Sequence, residues 1–280
     1  MSALLAVFAH PDDESLLAGG TLAACAWSGV SVMLLCVTRG EQGPISNVDL
    51  ATRRTLGSVR EAELREAARV LGVCEIECLE YPDGELSSID PMSIQNDISR
   101  AIVRWRPDAV VTFGPEGLYG HPDHVAVHRL TCKALDGLEA DVRSPPLYYA
   151  TWPRGWVDEL VAALAARGLP ADLWGHPPDE FGAPADSITT VVDVRDFAAR
   201  KLAALRCHRT QFGPDHLVSA VPEDLADRFF GTEFFVRGRP DLAEPDWLVH
   251  VWRRHAPEAA LQIANGKLQI ANLISISDQQ

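Results

Sequence analysis

The 280-residue chain contains no apolar run of the roughly 18 residues needed to span a bilayer, and its longer ones, such as Val30 to Val37, stop far short. Its N-terminus enters directly on the strand-like Leu4-Leu5-Ala6-Val7-Phe8, with no visible signal peptide. Its six cysteines, Cys25, Cys36, Cys74, Cys78, Cys132 and Cys207, form no CxxC pair, so reduced thiols and a cytoplasmic location are expected. Basic residues are outnumbered, 25 against 39 acidic, for a net charge of −14. That charge repels nucleic acid and anionic membrane surfaces and favours a small neutral or cationic substrate. No GxGxxG follows the first strand, no GxxxxGK[ST] is present, and no GxSxG elbow occurs. Dinucleotide binding, nucleoside triphosphate chemistry and a serine nucleophile are thereby disfavoured, which leaves water as the expected nucleophile.

Against these absences stands a repeated motif. His10-Pro11-Asp12-Asp13-Glu14 follows the first apolar run, and His121-Pro122-Asp123-His124 follows a later one. Proline suits the first position of a helix and pushes the residue before it into an extended conformation, so each histidine is expected at a strand-to-helix corner. The residue three further on then lies in the first helical turn, pointing back over the corner. His10, Asp13 and His124 would give the three protein ligands typical of a catalytic zinc site. Asp12 is left as a carboxylate placed to take a proton from water, and His121 as a group facing a developing oxyanion. The plainer alternative is that Asp12, Asp13 and Glu14 are acidic residues favoured by a helix N-terminus, at up to roughly 1 kcal/mol each. His176-Pro177-Pro178 reads as a loop, and His128 as exposed or structural.

Strand-like apolar runs at 3–9, 30–38, 75–79, 109–113, 147–151 and 188–194 alternate with helical patterns at 11–28, 56–71, 94–105, 122–136, 156–167 and 197–207. This predicts one α/β domain over residues 1–258, with a mostly parallel sheet, helices on both faces and a small C-terminal elaboration. A strand order 3-2-1-4-5 would make the first and fourth strands neighbours and bring both motifs together at the C-terminal ends of the strands, where ligand sites form. Gly19-Gly20 interrupts the first helix, implying close packing or a kink. Asp83, in Tyr81-Pro82-Asp83-Gly84, reads as a turn residue or an acceptor for a substrate hydroxyl. Residues 168–187 are expected to form a mobile loop over the pocket, His208 to Gln211 a polar exit, and the stretch to Glu258 a mixture of short strands and turns. The repeated Leu-Gln-Ile-Ala-Asn at 261 and 268 marks 259–280 as a low-complexity extension.

The pairing of Ala9 to Glu14 (AHPDDE) with Gly120 to His124 (GHPDH) resembles the LmbE-like, or PIG-L, family of metal-dependent de-N-acetylases. The resemblance runs over roughly residues 3–213 and includes Thr38-Arg39-Gly40-Glu41, Arg60 with Glu63-Leu64, the LGV at 71–73, Lys201, His208 and Gln211. It implies a Rossmann-like fold, a Zn²⁺ ion and removal of an N-acetyl group from an amino-sugar conjugate. By position it implies His10, Asp13 and His124 as ligands, Asp12 as base and His121 as oxyanion stabiliser or acid. It also implies Tyr119 near the acyl oxygen, Arg60 and Asp83 at the sugar, and His208 in the pocket wall. Fe²⁺ tolerates the same ligand set. An amidase acting on a thiol conjugate or longer acyl chain, and a non-catalytic sugar-binding protein stabilised by its metal, are the alternatives. The expected partner is a small amino-sugar substrate, and homo-oligomerisation is left open.

Overall fold

The computed structural model describes residues 2–140, 142–173, 175–214, 216–238 and 246–255. The repeat-bearing tail at 259–280, the boundary expected at 258, and Trp174 lie outside the described residues. The first half of the chain alternates strictly: β1 (Ala3–Phe8), α1 (Asp13–Trp27), β2 (Ser31–Thr38), α2 (Leu56–Leu71), β3 (Glu75–Tyr81), α3 (Pro91–Trp105) and β4 (Ala109–Phe113). A short turn, α4 (Gly117–Gly120), leads into α5 (Pro122–Asp136), β5 (Leu147–Thr151), α6 (Trp156–Ala165), β6 (Thr190–Asp193) and α7 (Arg195–Leu205). Then come α8 (Leu217–Ala220), α9 (Glu223–Phe230), β7 (Thr232–Arg237) and α10 (Trp247–His255). The last stretch therefore corrects the expectation of short strands and turns. α9 forms there because Leu225, Ala226, Phe229 and Phe230 recur at helical spacing and bury one face. α3 also starts earlier than its apolar pattern, because Asp90 accepts the Met92 N–H and Pro91 fits the first turn.

All seven strands join one sheet in the order β3-β2-β1-β4-β5-β7-β6. β1 to β5 pair in parallel, whereas β7 runs antiparallel to both β5 and β6. The expected 3-2-1-4-5 order is present, with β7 and β6 added beyond β5. β1 and β4 are neighbours, Leu4 to Ala6 opposite Ala109 to Val111, so the chain reverses its direction of travel across the sheet between them. Both strands are wholly buried, as expected where helices cover both faces. At their C-terminal ends Phe8 and Phe113 meet edge to face, ring centroids 5.1 Å apart, forming an apolar floor beneath the two histidine motifs. No described helix is long and apolar enough to cross a membrane.

α1 is buried on every side from Asp13 to Cys25, packed between the sheet and α2 and α7. A polar stripe is therefore absent from its sequence. Close packing also accounts for the glycine pair: a Cβ on Gly19 would sit 3.2 Å from Lys201 Cγ, and one on Gly20 only 2.5 Å from Val194 Cγ2. Glu233 of β7 accepts the Gly20 and Thr21 N–H groups at 2.8 and 2.7 Å and the Lys201 ammonium at 2.6 Å. This buried ion pair fastens α7 to α1. Gly20→Ala is expected to lower unfolding free energy by about 1–3 kcal/mol through overpacking, read from the denaturant midpoint.

Two other segments bear on the site. Residues 168–187 carry short 3-10 turns at Pro178–Glu180 and Ala185–Ser187, and the Gly182 N–H donates to the Leu118 carbonyl at 2.7 Å. His208 to Gln211, expected as an exposed exit, instead folds inward, with His208, Thr210 and Gln211 all buried. The reason is a partner the local sequence does not show: Glu63 of α2 accepts the Thr210 N–H at 3.0 Å and its hydroxyl at 2.6 Å.

Candidate active site

The second motif behaves as its sequence predicts. His121 is the N-cap of α5 and Pro122 its first helical residue; the His121 Nδ1 accepts the Asp123 N–H at 3.2 Å. His124 thus points back over the corner. Its Nδ1–H donates to the Gly117 carbonyl at 3.1 Å, leaving Nε2 bare, and its ring stacks on Phe113 with centroids 4.0 Å apart. Gly117 is required in this turn: its φ is +60°, and a Cβ would lie 2.7 Å from Val125 Cγ2.

The first motif does not mirror the second. α1 begins at Asp13, not Pro11, because Asp12 takes φ 120° and ψ −27°, a conformation costing a non-glycine residue about 1–3 kcal/mol. This backbone turn lets Asp12 and Asp13 diverge. Asp13 Oδ2 accepts the His10 N–H at 2.7 Å. Asp12 Oδ2 instead faces the Arg60 guanidinium at 3.0 Å, and the same guanidinium donates to the Pro11 and Gly40 carbonyls.

The motifs meet at their histidines. His10 Nδ1 lies 3.1 Å from His124 Nε2, and the Asp13 carboxylate closes the triangle, its Oδ2 3.4 Å from His10 Nδ1 and its Oδ1 3.3 Å from His124 Nε2. On its far side His10 Nε2 faces Asp83 at 3.1 Å and Asp123 at 3.3 Å, which fixes the proton on Nε2 and leaves Nδ1 bare toward the triangle. Two imidazole lone pairs and a carboxylate thus converge in a buried space. Nothing but positive charge satisfies such a donor set, so the residues fit a divalent cation. Burial lowers the His10 pKa, yet its bonds to Asp123, Asp13 and Asp83 hold it well above the ordinary value, so without a cation a proton takes the Nδ1 position that a cation would claim. Burial would raise that of Asp13, yet His124 and His10 hold it well below.

Two other groups have their ligand atoms within 4.8 Å of one another: His10 with His121 and His124, and His10 with Asp83 and Asp123. Both aspartates, however, are already engaged. Asp83 accepts the Gln42 N–H at 2.8 Å, and Asp123 those of Gly84 at 2.7 Å and Leu86 at 3.2 Å. They serve to orient His10.

Around the triangle, burial pushes the Asp12 carboxyl up to about 7, only partly opposed by Arg60, which places its protonation change near neutrality. His121 goes the other way: burial and the neighbouring His124 and His10 bring it down to about 4. It is neutral at pH 7, and with Nδ1 accepting from Asp123 its Nε2 carries the proton and is a donor. Its ring stands 4.8 Å from that of His10 and 4.6 Å from that of His124. Tyr119 flanks both site histidines, with centroids 5.8 Å from His121 and 5.6 Å from His124, and touches His176 and Phe181 of the 168–187 segment. Burial and the Asp13 and Asp12 carboxylates raise its pKa, so its hydroxyl stays protonated.

His10, Asp12, Asp13, Tyr119, His121 and His124 are therefore gathered in one place. Arg60 and Asp83 are there too, both buried, Arg60 bonded to Asp12 and Asp83 facing His10. His208 is fully buried, its Nε2 3.1 Å from Glu14 Oε1. Sequence reasoning gave no role to Asp123, Glu14 or the Gly117 carbonyl. Asp123 had a signal, since it occupies the same place in the second motif as Asp12 in the first.

The profile of the PIG-L family, described as GlcNAc-PI de-N-acetylase, matches residues 5–135. A protein of Acidothermus cellulolyticus named 1D-myo-inositol 2-acetamido-2-deoxy-alpha-D-glucopyranoside deacetylase is 37% identical over 257 residues, covering 83% of this chain and 87% of its own. Among solved structures, the conserved protein TT1542 of Thermus thermophilus aligns over 88% of this chain and 98% of its own, with TM-score 0.60 and 28% identity. The N,N'-diacetylchitobiose deacetylase of Pyrococcus horikoshii aligns over 84% and 83%, with TM-score 0.62 and 22% identity, a likeness of fold.

Proposed function

Since the chain belongs to the PIG-L, or LmbE-like, family of de-N-acetylases, we propose that it hydrolyses the N-acetyl group of an N-acetylglucosamine conjugate. His10, Asp13 and His124 would hold a divalent cation, with Asp12 as general base and His121 as oxyanion donor. The observation that carries this reading is the 3.1 Å approach of His10 Nδ1 to His124 Nε2, each ring held through its other nitrogen. Zinc suits two histidines and a carboxylate; Fe²⁺ accepts the same set.

When bound, the cation supplies a Lewis acid for the acyl carbonyl and lowers the pKa of the attacking water toward ~7. Asp12 takes the water's proton as the new C–O bond forms, which it can do near neutral pH because burial has raised its basicity. His121 donates its Nε2–H to the oxygen that gains charge, with the Tyr119 ring flanking His121. Asp12 then returns the proton to the amide nitrogen, the C–N bond breaks, and acetate and a free amine leave. Arg60 holds the Asp12 carboxylate, and Asp83 with Asp123 holds the His10 ring, so neither ligand nor base has to be ordered during the reaction.

The test is acetate release, with primary-amine detection, from metal-loaded protein given 1D-myo-inositol 2-acetamido-2-deoxy-alpha-D-glucopyranoside, N,N'-diacetylchitobiose and N-acetylglucosamine. Equimolar acetate and amine from at least one are expected. No release from any by fully loaded protein would overturn the reading. In the same assay His121→Ala should lower kcat by about 10²–10³-fold with metal content unchanged, the usual cost of one oxyanion donor.

A further inference from the structure

Asp12 occupies a backbone conformation that few side-chain-bearing residues adopt, and something must hold it there. On one side Arg60 donates to the Pro11 carbonyl and the Asp12 carboxylate. On the other, the Asp12 N–H donates to Glu14 Oε2 at 3.1 Å. Glu14 is fully buried, and its second oxygen, Oε1, takes the Ser15 hydroxyl at 2.5 Å and His208 Nε2 at 3.1 Å. A carboxylate with no access to water keeps its place only while its acceptor sites are filled. His208 is delivered from 194 positions away, just beyond α7. Its segment is pinned by Glu63, which shares a face of α2 with Arg60. One face of α2 therefore grips Asp12 directly through Arg60 and, through Glu63, Thr210 and His208, fixes the carboxylate that grips it from behind.

We propose that Glu14 and His208 are positioning residues that clamp Asp12 in its strained conformation and so keep its carboxylate aimed at the attacking water. The clamp rests on the reading of Asp12 as the base, but the geometry it predicts does not. His208 acts through Glu14 and touches neither substrate nor cation.

His208→Ala removes the donor; His208→Gln retains an N–H that can reach Glu14. The alanine variant should lose about 10²-fold in kcat, the scale of a 1 Å misplacement, with KM and metal stoichiometry near those of the parent, while the glutamine variant recovers most of the loss. A merely structural role would lower the melting temperature without splitting kcat from KM. A crystal structure of His208→Ala should show Asp12 relaxed away from φ near +120°, a readout that stands even if the parent releases no acetate. Should the alanine variant fail to fold, the isosteric Glu14→Gln serves, because it offers an NH₂ where one of two acceptors was needed; reduced kcat is again expected. Parental kcat in either folded variant, an unmoved Asp12, or activity lost only in proportion to metal would overturn the clamp.

Discussion

Asp12→Asn is expected to lower kcat by about 10²–10⁴-fold, the range for loss of a general base, while stoichiometric metal is retained. The substitution changes almost nothing else. Asparagine has the shape of aspartate, its oxygen can still accept from Arg60, and the Asp12 N–H still has Glu14 to bond. What disappears is the ability to take a proton. Asp13, by contrast, is the carboxylate that reaches both histidines, and it is left intact. Metal analysis and steady-state kinetics on the same preparation separate the two roles. Loss of metal from the variant would exchange the roles of the neighbouring aspartates, and parental turnover would end the case for Asp12.

That Asp12 and Asp13 would face different partners was legible from motif spacing; the backbone turn that parts them was not. Two copies of His-Pro-Asp suggest two equivalent corners, and proline chemistry predicts the second correctly. The first departs because the Asp12 N–H finds a buried carboxylate at Glu14 and its side chain finds Arg60, partners that only the tertiary structure supplies. The sheet order was likewise readable, since uninterrupted apolar strands alternating with helices admit few topologies. His208, Thr210 and Gln211 look like an exposed exit because polar residues after a helix usually are one. Their burial depends on Glu63 and Glu14, 147 and 194 positions away, which no local pattern encodes. Gly19-Gly20 lies between these cases: the sequence announced an unusual need for space, and β7 with α7 explains it.

Removing either imidazole from the triangle, by His10→Ala or His124→Ala, is expected to strip the metal and with it all turnover. Each variant leaves one histidine and Asp13, short of the three protein ligands a catalytic site requires. Asp123→Asn provides a graded control. It keeps every donor atom but weakens the group that fixes the His10 proton on Nε2, and loss of such an orienting partner typically costs about 10–100-fold in metal affinity. Affinity should therefore fall in the order parent, Asp123→Asn, then the two alanine variants, measured by metal analysis after dialysis against a chelator of known strength. His124→Ala also decides on which side of His10 the cation is held. If the cation were held on the far side, by His10 with Asp83 and Asp123, this variant would keep its metal and Asp123→Asn would lose it. That reversed order would dismantle the triangle, because the nitrogens 3.1 Å apart would then be a contact between two histidines and no longer a binding site.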